Sequence, residues 1–137
     1  LLKCQINPIL CVGETAEQRK LGQTTEVVSG QLKAVLARFK PEDLVHTVIA
    51  YEPVWAIGTG ETASPRVAGE VHATIRKMIR EKDQGLAETM RIIYGGSVNP
   101  ANADALMSEV DIDGALVGGV SLKSGDFIKI CNSAGVK

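Results

Sequence analysis

The chain has 137 residues and a mass of 14.5 kDa, 45% of them apolar and 23% charged, with a net charge of −1. That length suits one domain with its own core, and that composition excludes a disordered segment. The charge balance creates no global field for nucleic acid or an anionic membrane surface, and no uninterrupted apolar run of about 18 residues is present to cross a bilayer.

In chain order, Leu1-Leu2-Lys3-Cys4-Gln5 reads as the tail of a helix and lacks the ordered regions of a secretory signal. With no initiating methionine, truncation or processing is expected. Residues 8–12 form a first apolar strand ending at Gly13-Glu14. Thr15 is a hydroxyl N-cap for a short polar helix with Glu17 in its first turn. After Gly22, residues 24–39 resume a helix with Val27, Leu32, Val35 and Leu36 at near-helical spacing, and Pro41 closes the unit. The β-branched run 47–51 is a second strand. Its long loop reaches Ala63, where Ser64-Pro65 supplies an N-cap and first turn. That helix carries Val67, Val71, Ile75, Met78 and Ile79 on one side and Arg76, Lys77, Arg80 and Lys82 largely opposite, and Gly85 is its expected stop. Residues 90–94 are a third strand, Asn99-Pro100 opens a short helix to about Met107, and 114–117 is a fourth strand before a last helix around 126–132. Four strand–helix units with long crossovers predict an α/β fold built on parallel strands. An open doubly wound sheet is the structural alternative.

Function concentrates after the second strand, in Ala50-Tyr51-Glu52-Pro53-Val54-Trp55-Ala56-Ile57-Gly58-Thr59-Gly60. Glu52 is a carboxylate where a packed interior would not tolerate an unpaired charge. Pro53 stiffens the exit, and Gly58 and Gly60 allow backbone shapes that other residues resist. A base on a rigid strand end under a mobile loop fits this pattern. His46, before a strand, and His72, in mid-helix, read as surface or structural residues. Cys4, Cys11 and Cys131 are odd in number and lack zinc-type spacing, which predicts reduced thiols in a cytoplasmic protein. Cys11 lies in an apolar strand and reads as packing. Neither a metal site nor a dinucleotide fingerprint is expected, since Gly58-Thr59-Gly60 lacks the third glycine.

With Pro8-Ile9-Leu10-Cys11-Val12-Gly13-Glu14, Tyr94-Gly95-Gly96-Ser97-Val98 and Leu116-Val117-Gly118-Gly119 in the same order, the loop string resembles the triosephosphate isomerase family. The resemblance covers most of the chain. It implies a TIM barrel of which residues 1–137 are one unit, the C-terminal half with strands five to eight, because complete barrels of this fold run to roughly 250 residues. It implies interconversion of dihydroxyacetone phosphate and glyceraldehyde 3-phosphate through an enediolate, as in glycolysis and gluconeogenesis, without a cofactor. Glu52 is then the catalytic base, desolvated when the loop closes. Gly58, Ser97, Gly118 and Gly119 are the implied phosphate cradle, built from backbone amides. Glu14 and Trp55 form the implied anchor of the moving loop. Tyr94 would bond the backbone near Ala63, and Ser97 the backbone near Gly60. Tyr51 reads as structural, and Gly95 and Gly96 as turn residues.

The family's asparagine-x-lysine pair and its electrophilic histidine belong to the barrel half before this chain, as does the interdigitating loop of its homodimer. Glu61 and Val120 stand where lysine and alanine are common in the family. The competing expectation is an isolated half-barrel that self-associates through open edges and has no catalysis of its own. Another phosphate-binding barrel enzyme is a third reading, opposed by the glutamate-loop string.

Overall fold

The four apolar runs form four short parallel strands. In the computed structural model, which describes residues 1–134, they are β1 (Ile9–Val12), β2 (Val48–Tyr51), β3 (Ile92–Tyr94) and β4 (Gly114–Ala115). They lie in the order β1-β2-β3-β4, each beside the strand next in sequence. Residues 135–137 of the single unit expected from sequence lie outside the described residues. Cys11, Ala50, Ile93 and Gly114 share one level of the sheet, and Val12, Tyr51, Tyr94 and Ala115 the next.

Among the described residues six α-helices connect and cover these strands: α1 (Ala16–Lys20), α2 (Thr24–Leu36), α3 (Pro65–Lys82), α4 (Gln84–Thr89), α5 (Ala103–Met107) and α6 (Ser124–Ala134). The expected caps are in place. Thr15 and Gln18 form a reciprocal capping box, with the Thr15 amide donating to Gln18 Oε1 at 2.9 Å. The Ser64 hydroxyl accepts from the Val67 amide at 3.3 Å. Residues 2–4 form a 3₁₀ turn rather than a helix tail.

One face of the sheet is sealed. Val12, Ile49, Tyr51, Ile92 and Tyr94 are buried in a core completed by Val28 and Leu32 of α2, Ile75 and Ile79 of α3, and Leu106 of α5. The α2 stripe runs through Val28 rather than Val27, at the i, i+4 spacing of Val28, Leu32 and Leu36. The opposite face carries Ile9, 48% exposed, Cys11, exposed, and the half-buried Val48 and Ile93. The packing role read for Cys11 is therefore wrong. An all-apolar strand does not reveal which of its residues faces the helices, and Cys11 faces away from them.

Two further expectations fail around α3. Gly85 does not stop it: the helix ends at Lys82, and Asp83 leaves helical geometry at φ −161°. The Asp83 carboxylate then caps α4 by accepting from the Leu86 amide at 2.7 Å, a bond glycine cannot offer. Nor does Arg76 stand on an open polar face. Its side chain is 12% exposed and bonds Asp111 at 2.8 Å, Asp113, and the carbonyls of Ala87 at 2.7 Å and Met90 at 3.2 Å. A fork of five N–H donors suits that role, because α4 folds back and brings its last carbonyls to α3.

Candidate active site at the strand ends

Parallel strands place all their C-terminal ends on one edge, so the residues that follow them become neighbours. Gly13 and Glu14 follow β1, Glu52 follows β2, Gly95 to Ser97 follow β3, and Gly118 and Gly119 lie beyond β4. This brings the sequence-derived candidates Glu14, Glu52, Trp55, Gly58, Tyr94, Ser97, Gly118 and Gly119 to one edge of the sheet.

Glu52 continues the ladder by one residue, its amide donating to the Val12 carbonyl at 2.8 Å. It is half-buried, and glycine flanks it on both sides. A methyl group on Gly13 would overlap the Glu52 carbonyl oxygen, and one on Gly95 would lie 2.5 Å from Glu52 Cγ and 2.9 Å from Oε1. The main chain of Gly13 is fixed in turn by Gln31 of α2, whose amide group accepts from Gly13 N–H at 2.9 Å and donates to its carbonyl at 3.0 Å. Gly95 therefore serves close approach of the carboxylate, not turn geometry. Gly96 does the same for the Tyr94 hydroxyl, which an added methyl would overlap. Cys11 meets Glu52 from the open face. Partial burial raises the thiol pKa, helped by the Glu52 charge and a hydrogen bond to that carboxylate.

The loop after Glu52 is tied at two points. At its stem, Val54–Ala56 forms a 3₁₀ turn, and the Trp55 indole N–H donates to Glu14 Oε1 at 2.9 Å. Glu14 is fully buried, which a carboxylate tolerates only with donors around it. Tyr51 is the second donor, its hydroxyl 3.2 and 3.1 Å from the two Glu14 oxygens. Burial and then the Glu14 charge raise the Tyr51 pKa well above its ordinary value, keeping its proton in place. Tyr51, read as structural, thus takes its structural role in the anchor itself. On the outer side of the indole, the Arg19 guanidinium lies 3.7 Å from the ring centroid, a cation–π contact.

The loop tip is exposed and self-bonded. Gly58 and Gly60 take φ of +69° and +81°, the left-handed region that favours glycine. Thr59 Oγ1 donates to the Trp55 carbonyl at 2.9 Å and accepts from the Glu61 amide at 3.1 Å. At the far end the Tyr94 hydroxyl accepts from the Ala63 amide at 3.1 Å, where the sequence reading put that bond. The expected partner of Ser97 differs. Its carbonyl, not its hydroxyl, meets the loop, accepting from Thr62 Oγ1 at 3.2 Å, and Gly60 stays in solvent.

Gly118 and Gly119 are exposed at the start of a 3₁₀ turn, Gly119–Leu122, with open space on the side where a Cβ would stand. His46 is exposed at the opposite edge. His72 is fully buried behind the two tyrosines, its Nδ1 3.2 Å from the Asp111 carbonyl oxygen. Among the described residues no group of His, Cys, Asp and Glu is arranged to hold a metal, and no helix is long and apolar enough to cross a membrane. Sequence reasoning missed Arg19, Gln31, Thr62 and His72 as parts of this site. Arg19 and Gln31 belong to helices that follow Glu14, and only the fold returns them to it.

A family model described as triosephosphate isomerase matches residues 1–134. Similar curated proteins include the triosephosphate isomerase of Pseudomonas syringae pv. syringae (strain B728a), 56% identical over 130 residues, covering 95% of this chain and 52% of that protein. The triosephosphate isomerase of Cupriavidus pinatubonensis (strain JMP 134 / LMG 1197) is 54% identical over 132 residues, with 96% and 54% covered. That of Herminiimonas arsenicoxydans is 51% identical over 133 residues, with 97% and 54% covered. The chain spans about half the length of the curated relatives it matches.

Proposed function

Because this chain belongs to the triosephosphate isomerase family, with its parallel strands forming a TIM-barrel half, we propose that it supplies the base, mobile loop and phosphate cradle of a complete isomerase. That enzyme interconverts dihydroxyacetone phosphate and glyceraldehyde 3-phosphate as a cytoplasmic homodimer. The observation that carries this reading is the setting of Glu52 at a strand end. Glycines beside it leave room for main chain and side chain, Gly13 for the Glu52 carbonyl oxygen and Gly95 for the carboxylate, and a loop tied at Trp55 and Ala63 follows it.

Glu52 takes a proton from one substrate carbon and returns it to the next, and a carboxylate with two oxygens can serve both carbons. The amides of Gly58, Ser97, Gly118 and Gly119 bind the phosphate, so no lysine from this chain is required at that end. The lysine and histidine that stabilise the enediolate in the family come from the other barrel half. By itself this chain turns over substrate negligibly, since a lost electrostatic donor typically costs ~100- to 1000-fold. It self-associates through the apolar face bearing Ile9 and Ile93.

Glu52→Asp in the complete enzyme, assayed without added metal, tests the base. Retraction by one methylene, roughly 1 Å, should lower kcat about 100-fold. A loss under about tenfold removes Glu52 from that role.

A further inference from the structure

Both ends of the 54–63 loop rest on tyrosines that occupy the same level of neighbouring strands. Tyr51 holds Glu14, which holds Trp55 at the stem, and Tyr94 holds the Ala63 amide at the end. The two rings are 6.2 Å apart, and a third aromatic ring closes the group. His72 of α3 stands edge-on to Tyr51 with centroids 5.9 Å apart and tilted to Tyr94 at 6.4 Å. These separations fall in the range where aromatic pairs attract through their quadrupoles.

We infer that His72 is a positioning residue whose ring, packed against both tyrosines, makes the anchors at Trp55 and Ala63 form and release together. The inference rests on the proposed reading of 54–63 as a loop that moves over a bound triose phosphate. Four features support it. His72 is fully buried and its orientation is fixed from behind by the 3.2 Å contact of Nδ1 with the Asp111 carbonyl oxygen, so the ring cannot turn freely between the tyrosines. A proton on Nδ1 satisfies that carbonyl and leaves Nε2, which has no hydrogen-bond partner among the described residues, as a bare lone pair rather than a stranded donor. Burial also lowers the His72 pKa to about 4, despite the nearby Asp111 and Asp113 and in line with the effect of Arg76, so the ring remains a neutral wedge. Finally, α3 begins at Pro65, two residues past Ala63, so the loop end leads directly into the helix that carries His72. A leucine would fill much of the volume while losing the ring contacts and the bond to the Asp111 carbonyl, which would keep its Arg76 Nη2 donor at 3.3 Å.

The test compares two exchange rates in the intact protein, those of the Trp55 indole N–H and the Ala63 amide N–H, followed by nitrogen-edited NMR. His72→Leu should accelerate both at least tenfold and by similar factors. Ile79→Ala, in the same helix and equally buried, should leave both rates unchanged once global unfolding is subtracted. His72→Phe keeps a ring between the tyrosines, so it should restore most of the protection and should also serve if His72→Leu does not fold. Acceleration of one proton without the other, of neither, or of both equally by Ile79→Ala would overturn the coupling. None of these readings requires turnover. Failure of the complete enzyme to isomerise triose phosphates would remove the proposed function, while the two exchange rates would still decide the role of His72.

Discussion

The two faces of this sheet are made from the same kinds of residue and live in different surroundings. On the helix side Ile49, Tyr51, Ile92 and Tyr94 are completely or almost completely buried, and the polar groups among them are bonded to named partners. On the other side Ile9 and Cys11 are exposed and Ile93 is only half-covered. Apolar content alone therefore does not identify the core; alternation along each strand and the layer that covers it do. The contrast also separates stability from chemistry. The sealed face holds the sheet together, and Glu52 and Cys11 belong to the open side and its upper edge.

Matched truncations give the largest expected effect. In a sample dilute enough to sediment as a monomer, Ile75→Ala, at a fully buried site, should cost about 2–5 kcal/mol in denaturant titration, whereas Ile9→Ala should stay within ~0.5 kcal/mol. Equal costs in the monomer would break the comparison; at higher concentration, where self-association covers Ile9, the cost of its truncation should rise.

Acid should act on the sealed face next. The His72 pKa is lowered to about 4 from an ordinary 6.5, so the unfolded chain binds this proton more readily than the folded one. Stability from this group is complete above about pH 6.5, falls as the pH drops below that value and levels off below about pH 4. At ~1.4 kcal/mol per pKa unit the full loss is roughly 3 kcal/mol. His72→Phe should flatten that part of the stability profile, and an unchanged slope would assign the acid sensitivity to other groups.

The open side is probed by Gly95→Ala. The new methyl group would push on Glu52 Cγ, displacing the carboxylate by a fraction of an ångström to 1 Å. In the complete enzyme kcat should drop by about 10- to 100-fold, with a much smaller change in melting temperature. A loss of stability without loss of turnover would show that the carboxylate has freedom the structure does not suggest. The smallest effect belongs to Arg19→Gln, which removes the charge over Trp55. It should weaken the loop stem by ~0.5–1 kcal/mol, read as faster exchange of the indole proton. A rate equal to wild type would make that contact ornamental.

Much of this was legible along the chain. The strand–helix alternation, the caps at Thr15 and Ser64, the left-handed glycines of the loop and the Tyr94–Ala63 bond follow from local chemistry or from the family's motifs. What was not legible depends on elements distant in sequence. Arg76 looks solvent-facing until α4 and the 111–113 segment are folded against it. Gly95 and Gly96 look like a turn until the side chains of Glu52 and Tyr94 are seen to need their missing Cβ atoms. Cys11 sits in a run that is apolar throughout, so no period-two signal assigned its face. The stop at Asp83 was a local choice misjudged, because a carboxylate that can cap the next helix outcompeted a glycine two residues later.

The order β1-β2-β3-β4 also bears on how the sheet is assembled in time. Each strand borders the one before it in the chain, so every addition closes a loop of one unit and none waits for a distant segment. Such a sheet can be lengthened stepwise from whichever unit orders first, much as solenoids propagate from neighbour to neighbour. The two-residue β4, bordered among the described residues only by β3, is the natural last arrival in such growth and the first to fray. The amide ladder should lose protection in the reverse of that sequence, with the Leu116 bond to Tyr94 opening well before the Glu52 bond to Val12.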